Sequence, residues 1–105
     1  MNREQIENLY FINGIGDFEL KNTGDLMKVH GINARTIEGY SELNEEDKKT
    51  FINFIINYMN CLGLKLRVNT YPVKVYRYEE CLKVDLMQEN RSTWLHIIKN
   101  GEEWY

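Results

Sequence analysis

The stretch "NEEDKKTFINFIINYMNCLG", residues 44–63, decides the fold. Asn44 is a favourable helix N-cap, and the three carboxylates that follow it stabilise the positive end of a helix dipole. The apolar residues after them recur with the period of a helix that has one buried stripe. The members of that stripe are Phe51, Phe54, Ile55, Tyr58 and Leu62. The pattern predicts a central helix over about residues 44–62, with Gly63 ending it.

After this helix the apolar period changes to two, which is typical of strands with one buried face. Residues 64–69 alternate leucine or valine with polar side chains, and three later segments are rich in β-branched and aromatic residues. Those segments are residues 73–78, 81–87 and 92–98. Asn100-Gly101 is a strong hairpin signal that would fold the last residues back on the preceding strand. We therefore expect an antiparallel β-meander of four to five strands, with one face on the long helix.

The part of the chain before the long helix favours short helices. Residues 3–12 are compatible with one such helix, and a second would run from Thr23 or Asp25 to about His30, with Gly31 ending it. A chain of 105 residues with 43% hydrophobic residues can bury a core of its own. The prediction is a single α+β domain over residues 1–105, mainly helical in 1–63 and mainly β in 64–105.

The segment "GDLMKVHGINARTIEGYSEL", residues 24–43, has the outline of a helix-turn-helix with its turn at Gly31. In that interpretation Asn33, Arg35 and Thr36 would face the major groove of DNA, where Arg and Asn can bind base edges. Met27 is bulky for a close helix crossing, and Gly39 weakens a second helix by about 1 kcal/mol. The alternative is a pair of short helices that only pack into the core.

The outer side of the predicted sheet is the second candidate surface. If the apolar residues of each strand point inward, basic and aromatic side chains share the exposed side, together with the terminal aromatic residues. The candidate partner-binding residues are Lys65, Arg67, Lys74, Tyr76, Tyr78, Trp94, Trp104 and Tyr105. Tyr, Trp and Arg are favoured anchors at protein interfaces, and the same mixture also suits single-stranded nucleic acid. The alternative is an ordinary solvent-exposed sheet face.

Charge disfavours nucleic acid as the partner. The net charge is −3, with residues 1–63 at −4 and residues 64–105 at +1, whereas proteins that bind duplexes usually present a basic face. An acidic cluster at the start of the long helix comprises Glu42, Glu45, Glu46 and Asp47. Such a cluster can mimic nucleic acid, but it also stabilises a helix N-terminus without any further role.

Catalytic and metal-binding signatures are absent from the sequence pattern. Cys61 and Cys81 form no CxxC motif, no residues have zinc or calcium spacing, and "GIG" at residues 14–16 is followed by acidic residues that would repel phosphate. The remaining enzymatic hypothesis would need Cys81 and His96 to meet on one sheet face. We expect no cofactor and no enzymatic activity.

The resulting functional hypothesis is a small, non-enzymatic protein that binds another macromolecule, with a protein partner favoured. The sequence starts without a secretory signal and has no apolar run that could span a membrane, so a cytoplasmic location is expected. The abundance of Asn, Ile, Lys, Tyr and Glu is typical of an AT-rich bacterial or phage genome. We therefore expect a phage or mobile-element factor that inhibits or regulates a host nucleic-acid enzyme, as anti-CRISPR and anti-restriction proteins do. The alternative is a DNA-binding regulator that uses residues 24–43.

Overall fold

The computed structural model describes residues 19–105, and the helix predicted over residues 3–12 lies outside them. The helices are α1 (Thr23–His30), α2 (Glu45–Cys61) and the short α3 (Leu64–Arg67). The strands are β1 (Thr70–Tyr78), β2 (Cys81–Gln88), β3 (Arg91–Ile98) and β4 (Glu103–Trp104). Short 3-10 helices connect them at Ala34–Thr36, Tyr40–Glu42 and Lys99–Gly101.

The long helix α2 confirms the central prediction. The side chain of Asn44 accepts a hydrogen bond of 2.7 Å from the backbone N–H of Asp47, so it is the N-cap that the sequence indicated. The buried residues of α2 include Phe51, Phe54 and Met59, each with no exposed surface. Within residues 19–105 no helix combines the length and the apolar character that a membrane crossing requires.

The sheet is a four-stranded antiparallel meander in the order β1-β2-β3-β4, which also confirms the predicted α+β architecture. Successive strands are joined by tight turns, and Glu89 and Asn90 of the β2–β3 turn both have positive φ, as type I′ hairpins require. Leu82, Val84 and Leu86 of the central strand β2 point inward and are buried against α2. The sheet therefore has an inner face on the core and an opposite face directed away from α2.

Residues 64–69 do not form the strand that their alternation predicted. They form α3 and a turn. Side chains of this segment hydrogen-bond to nearby backbone carbonyls, which are then not available for pairing with another strand. Thr70 Oγ1 donates to the carbonyl of Leu66 at 2.7 Å, and Asn69 Nδ2 donates to the carbonyl of Lys65 at 3.0 Å. The meander accordingly begins at Thr70.

The second helix of the predicted helix-turn-helix is also replaced. Helix α1 ends at Gly31, which adopts the left-handed conformation of a helix C-cap as expected. The following segment consists of the 3-10 helices Ala34–Thr36 and Tyr40–Glu42, with a parallel bridge between Glu38 and Lys74 of β1. This bridge draws the backbone into extended contact with the sheet, so a continuous α-helix cannot form there.

Asparagines on α2 attach two other segments to the helix. Asn60 exchanges hydrogen bonds of 2.8 Å with both the backbone N–H and the carbonyl of Leu20. Asn53 and Asn57 donate to the carbonyls of Asn100 and Gly101 in the β3–β4 connection. These contacts fix the N-terminal segment and the terminal hairpin against the same helix.

Candidate protein-binding face

The side of the sheet that points away from α2 carries a continuous set of aromatic and basic side chains. We call this set the outer face and define it by Lys74, Tyr76, Tyr78, Lys83, Trp94, His96 and Tyr105. The set arises because side chains alternate across each strand, so the residues between the buried ones emerge on the opposite side.

Strand register aligns these residues in rows across the sheet. Tyr76 of β1 is opposite Lys83 of β2, and Lys83 is opposite His96 of β3. His96 then exchanges backbone hydrogen bonds of 2.8 and 3.1 Å with Tyr105. In the neighbouring row Asp85 lies between Lys74 and Trp94. Cross-strand neighbours of this kind are close enough for their side chains to interact directly.

The ammonium group of Lys83 lies at the centre of the outer face. Its Nζ atom is 4.3 Å from the ring centroid of Trp94, 5.0 Å from that of Tyr78 and 6.0 Å from that of Tyr76. Each distance is within the range of a cation–π interaction, which Trp forms most strongly. Lys83 therefore orders rings from three neighbouring positions around one charge.

The imidazole of His96 links the remaining rings. It stacks on Tyr105 at 4.8 Å between ring centroids, and it meets Trp94 edge-on at 5.0 Å. The Tyr78 ring lies 6.1 Å away on the β1 side. These separations lie within the range that favours aromatic pairs, so the outer face is a preorganised cluster of rings rather than a set of independent side chains.

The aromatic members of this cluster remain accessible. Trp94 is 52% exposed, Tyr78 is 44% exposed and Tyr105 is 66% exposed. An exposed cluster of large rings is unusual on a monomeric surface and is typical of a binding site. The ordered rings would lose little conformational freedom on binding, which favours affinity.

Trp104 does not belong to this surface, although the sequence analysis grouped it with Tyr105. It is opposite Ile97 in the β3–β4 pair and therefore points inward. Its indole meets the rings of Phe54 and Tyr58 edge-on, each at 5.6 Å. Trp104 is thus part of the hydrophobic packing under α2, which is the physical reason for an aromatic residue there.

Lys65 and Arg67 also lie away from the sheet face on which they were predicted. Both are in α3, where Lys65 is exposed and Arg67 is only 6% exposed. A terminal nitrogen of the Arg67 guanidinium donates to the carbonyls of Leu62 at 3.3 Å and Asn60 at 3.5 Å. Arg67 therefore caps the C-terminal end of α2, where a cation is favoured by the helix dipole.

The acidic cluster is only partly available to a partner. Glu42, Glu45 and Glu46 are exposed, and Glu45 is 3.4 Å from the ammonium of Lys48. Asp47 is buried, and its carboxylate lies 3.6 Å from the guanidinium of Arg77 on β1. Asp47 thus connects α2 to the sheet.

The residues proposed to contact DNA lie in a tight local structure. The Asn33 side chain accepts a hydrogen bond from the backbone N–H of Arg35, and the Thr36 hydroxyl donates to the Asn33 carbonyl at 2.9 Å. These groups begin and close a 3-10 helix of three residues. They do not project from a recognition helix, which is the element that would place them in the major groove.

Five of the predicted partner-binding residues lie together in the structure, namely Lys74, Tyr76, Tyr78, Trp94 and Tyr105. Lys83 and His96 hold the cluster together but were not among the predicted partner-binding residues. Strand alternation was the available signal for both, because Lys83 is two residues from Asp85 and His96 is two residues from Trp94, so each shares a face with its neighbour. Cys81, considered earlier with His96, instead has its thiol 3.5 Å from the carbonyl of Tyr78.

No group of three or more His, Cys, Asp or Glu residues in the described part of the chain is arranged to hold a metal ion. The sequence matches no protein-family model, and neither a curated protein nor a solved structure gives a significant match.

Proposed function

We propose that this chain is a small, non-enzymatic, cytoplasmic protein that binds a partner protein through its outer face. The observation that carries the proposal is the ordered cluster of exposed rings around Lys83. Trp and Tyr in such clusters supply most of the binding energy at many protein interfaces. The flanking charges are mixed, since Lys74 and Lys83 share the surface with Asp85 and Glu103.

This mixture of charge favours a protein over a nucleic acid. A strand of nucleic acid needs basic groups along its backbone path, and the outer face has only Lys74 and Lys83 for that purpose. Protein interfaces instead combine an aromatic centre with a polar rim of both signs. The proposed partner therefore has an apolar patch of its own surrounded by polar groups.

The acidic net charge supports a more specific proposal for that partner. The chain carries a net charge of −3, and Glu42, Glu45 and Glu46 are exposed at the start of α2. These carboxylates would favour a partner with a basic surface, and enzymes that act on nucleic acid have such surfaces. We accordingly propose that the protein is a phage or mobile-element factor that inhibits or regulates an enzyme of this class.

The proposal is tested by capture with matched variants of the full chain. Trp94→Ala removes the ring that lies nearest to the Lys83 ammonium, and Met27→Ala removes a similarly exposed apolar side chain on α1. We expect a protein from the source cells to be retained by the original chain and by Met27→Ala but not by Trp94→Ala. Loss of a central aromatic anchor corresponds to about 2 kcal/mol or more, or roughly a thirtyfold weaker Kd.

Two outcomes would contradict the proposal. One is retention of every captured protein by Trp94→Ala at the level of the original chain. The other is that Met27→Ala loses the captured protein as completely as Trp94→Ala does, which would mean that the contact is not specific to the outer face. Circular dichroism of both variants checks that they remain folded, as expected for substitutions of half-exposed side chains.

A further inference from the structure

Strand β3 pairs with β2 from Arg91 to Ile97 on one side. On its other side only the end of the strand is paired. Strand β4 reaches Ile97 and Ile98, and Tyr105 bonds to His96. No residue in the described range 19–105 pairs with Arg91–Leu95 on the side away from β2. Among the described residues, the position beside the first half of β3 is therefore unoccupied.

The backbone groups that face this open position can be assigned from the register. The N–H and carbonyl of His96 both point toward Tyr105, and backbone groups alternate in direction along a strand. Those of Ser92 and Trp94 therefore point to the same side as those of His96. They form a row of donors and acceptors directly beside the outer face.

The opposite edge of the sheet is protected in ways that β3 is not. On β1 the N–H of Val75 is bonded to the carbonyl of Glu38 at 2.9 Å, Pro72 lacks an N–H, and the register shifts between Pro72 and Lys74. Natural sheets use such devices to prevent strand addition at an edge. Residues 91–95, "RSTWL", contain no proline and carry only one charge.

A cavity of about 580 Å³ adjoins the open edge. Its lining comprises Leu66, Gln88, Glu89, Arg91, Ser92 and Thr93. Thr93 is opposite the buried Leu86 and so points to the inner side of the sheet, whereas Trp94 points to the outer side. Alternate side chains of an added strand would therefore enter the cavity or contact the outer face.

We propose that an extended peptide segment of the partner protein adds to the free edge of β3 as a fifth strand. This inference rests on the proposed function and specifies how the partner docks. Strand addition derives affinity from main-chain hydrogen bonds and specificity from pockets for alternate side chains, and both are present at this edge. The chemistry recognised is a short extended backbone with a side chain for the cavity, whose lining is polar apart from Leu66.

A second copy of the chain fits this edge less well. Antiparallel pairing of β3 with itself about Thr93 would bring the Glu89–Asn90 turn of one copy against Tyr105 of the other, because Tyr105 occupies the position opposite His96. A short peptide has no such turn and can end before Tyr105. The occupant we infer is therefore a linear segment of another protein.

The test uses random linear peptides displayed in a library and selected on the full chain. Ser92→Pro removes one edge N–H and leaves the residues that bond to β2 unchanged, and Ser92→Ala keeps that N–H as the matched control. We expect the selected peptides to bind Ser92→Pro about tenfold or more weakly, and Ser92→Ala within about twofold. Methylating the peptide nitrogen that faces the carbonyl of Trp94 should weaken binding to the original chain comparably.

Equal binding to Ser92→Pro and the original chain would overturn the inference, as would a selection that enriches no linear peptide. If Ser92→Pro proves unfolded by circular dichroism, the N-methylated peptide decides the matter with the original chain alone. A dimer in solution that depends on the Ser92 N–H would also overturn it in favour of a second copy. If Trp94→Ala releases the captured partner and Ser92→Pro retains it, the proposed function stands and strand addition is wrong.

Discussion

Gly101 lies where the β3–β4 connection crosses α2, and a side chain there would collide with the helix. A Cβ atom on Gly101 would be 2.5 Å from the Thr50 carbonyl oxygen and 2.6 Å from the Phe54 nitrogen, and its φ is +89°. We expect Gly101→Ala to lower the free energy of unfolding by more than about 2 kcal/mol, since both strain and overpacking act.

The matched control is Gly63→Ala, because nothing lies within 4 Å of the corresponding Cβ position. Its effect should stay below about 1 kcal/mol in either direction. Urea denaturation of both variants measures the difference. Similar destabilisation by the two substitutions would show that Gly101 is not constrained by α2.

His30 makes stability depend on pH. Burial, together with the nearby guanidinium of Arg67, lowers the pKa of His30 from its ordinary 6.5 to about 4. Between these values the unfolded chain binds the proton and the folded chain does not, so protons favour unfolding there. The contribution of His30 is complete above pH 6.5, declines as the pH falls and reaches its minimum below about pH 4.

We therefore expect the melting temperature to fall between pH 7 and pH 4.5 by more in the original chain than in a His30→Gln variant, which has no titrating ring at position 30. Differential scanning calorimetry at several pH values measures this comparison. Parallel pH curves for the two proteins would exclude His30 as the titrating group.

At the scale of elements, α2 organises the molecule through its asparagines as well as its apolar stripe. Asn60 satisfies both backbone groups of Leu20, whereas Asn53 makes one exposed hydrogen bond of 3.2 Å to Asn100. Asn60→Ala should cost about 1–3 kcal/mol because it leaves those backbone groups without partners, and Asn53→Ala should cost less than about 1 kcal/mol. Thermal denaturation gives the ranking, and a larger effect at Asn53 would contradict it.

The elements also show where sequence reasoning succeeds and where it stops. Helix α2 was predictable because its cap, acidic first turn and apolar period all agree. The Asn100-Gly101 dipeptide correctly indicated a hairpin, but the loop spans residues 99–102 rather than two residues, with positive φ at Lys99 as well as at Asn100 and Gly101. The strand predicted over residues 64–69 was wrong because alternation over so short a window cannot reveal side-chain bonds to the local backbone. The bond from the Thr70 hydroxyl to the Leu66 carbonyl is one of these.

The same reasoning applies to the candidate site. Alternation placed Tyr76, Tyr78 and Trp94 on one face, but Val73 was expected to point inward and is exposed at the bulge of β1. A bulge shifts the alternation of a strand and leaves no distinct signal in the sequence. Adjacent residues of a strand point to opposite faces, so Trp104 and Tyr105 could not share one. The β3–β4 register then decides which points inward, because Trp104 is opposite the buried Ile97.

At the scale of the whole molecule, the two faces of the sheet have different roles. The inner face packs on α2, with Trp104 completing that packing, and the outer face presents an ordered cluster of rings. The net charge is acidic and the outer face is aromatic, and in our proposal this combination favours a protein partner over a polyanion. In the proposed function, the partner contacts this outer face.

Chemical-shift mapping of the isotope-labelled chain with its captured partner tests that claim most directly. We predict that the perturbed signals belong to the outer face and the β3 edge, with the Trp94 indole N–H, Lys83 and Tyr105 the most strongly affected. Signals of Arg35 and of Lys49 on α2 should remain unchanged. Perturbations centred instead on Glu42, Glu45 and Glu46, with Trp94 unaffected, would contradict the account.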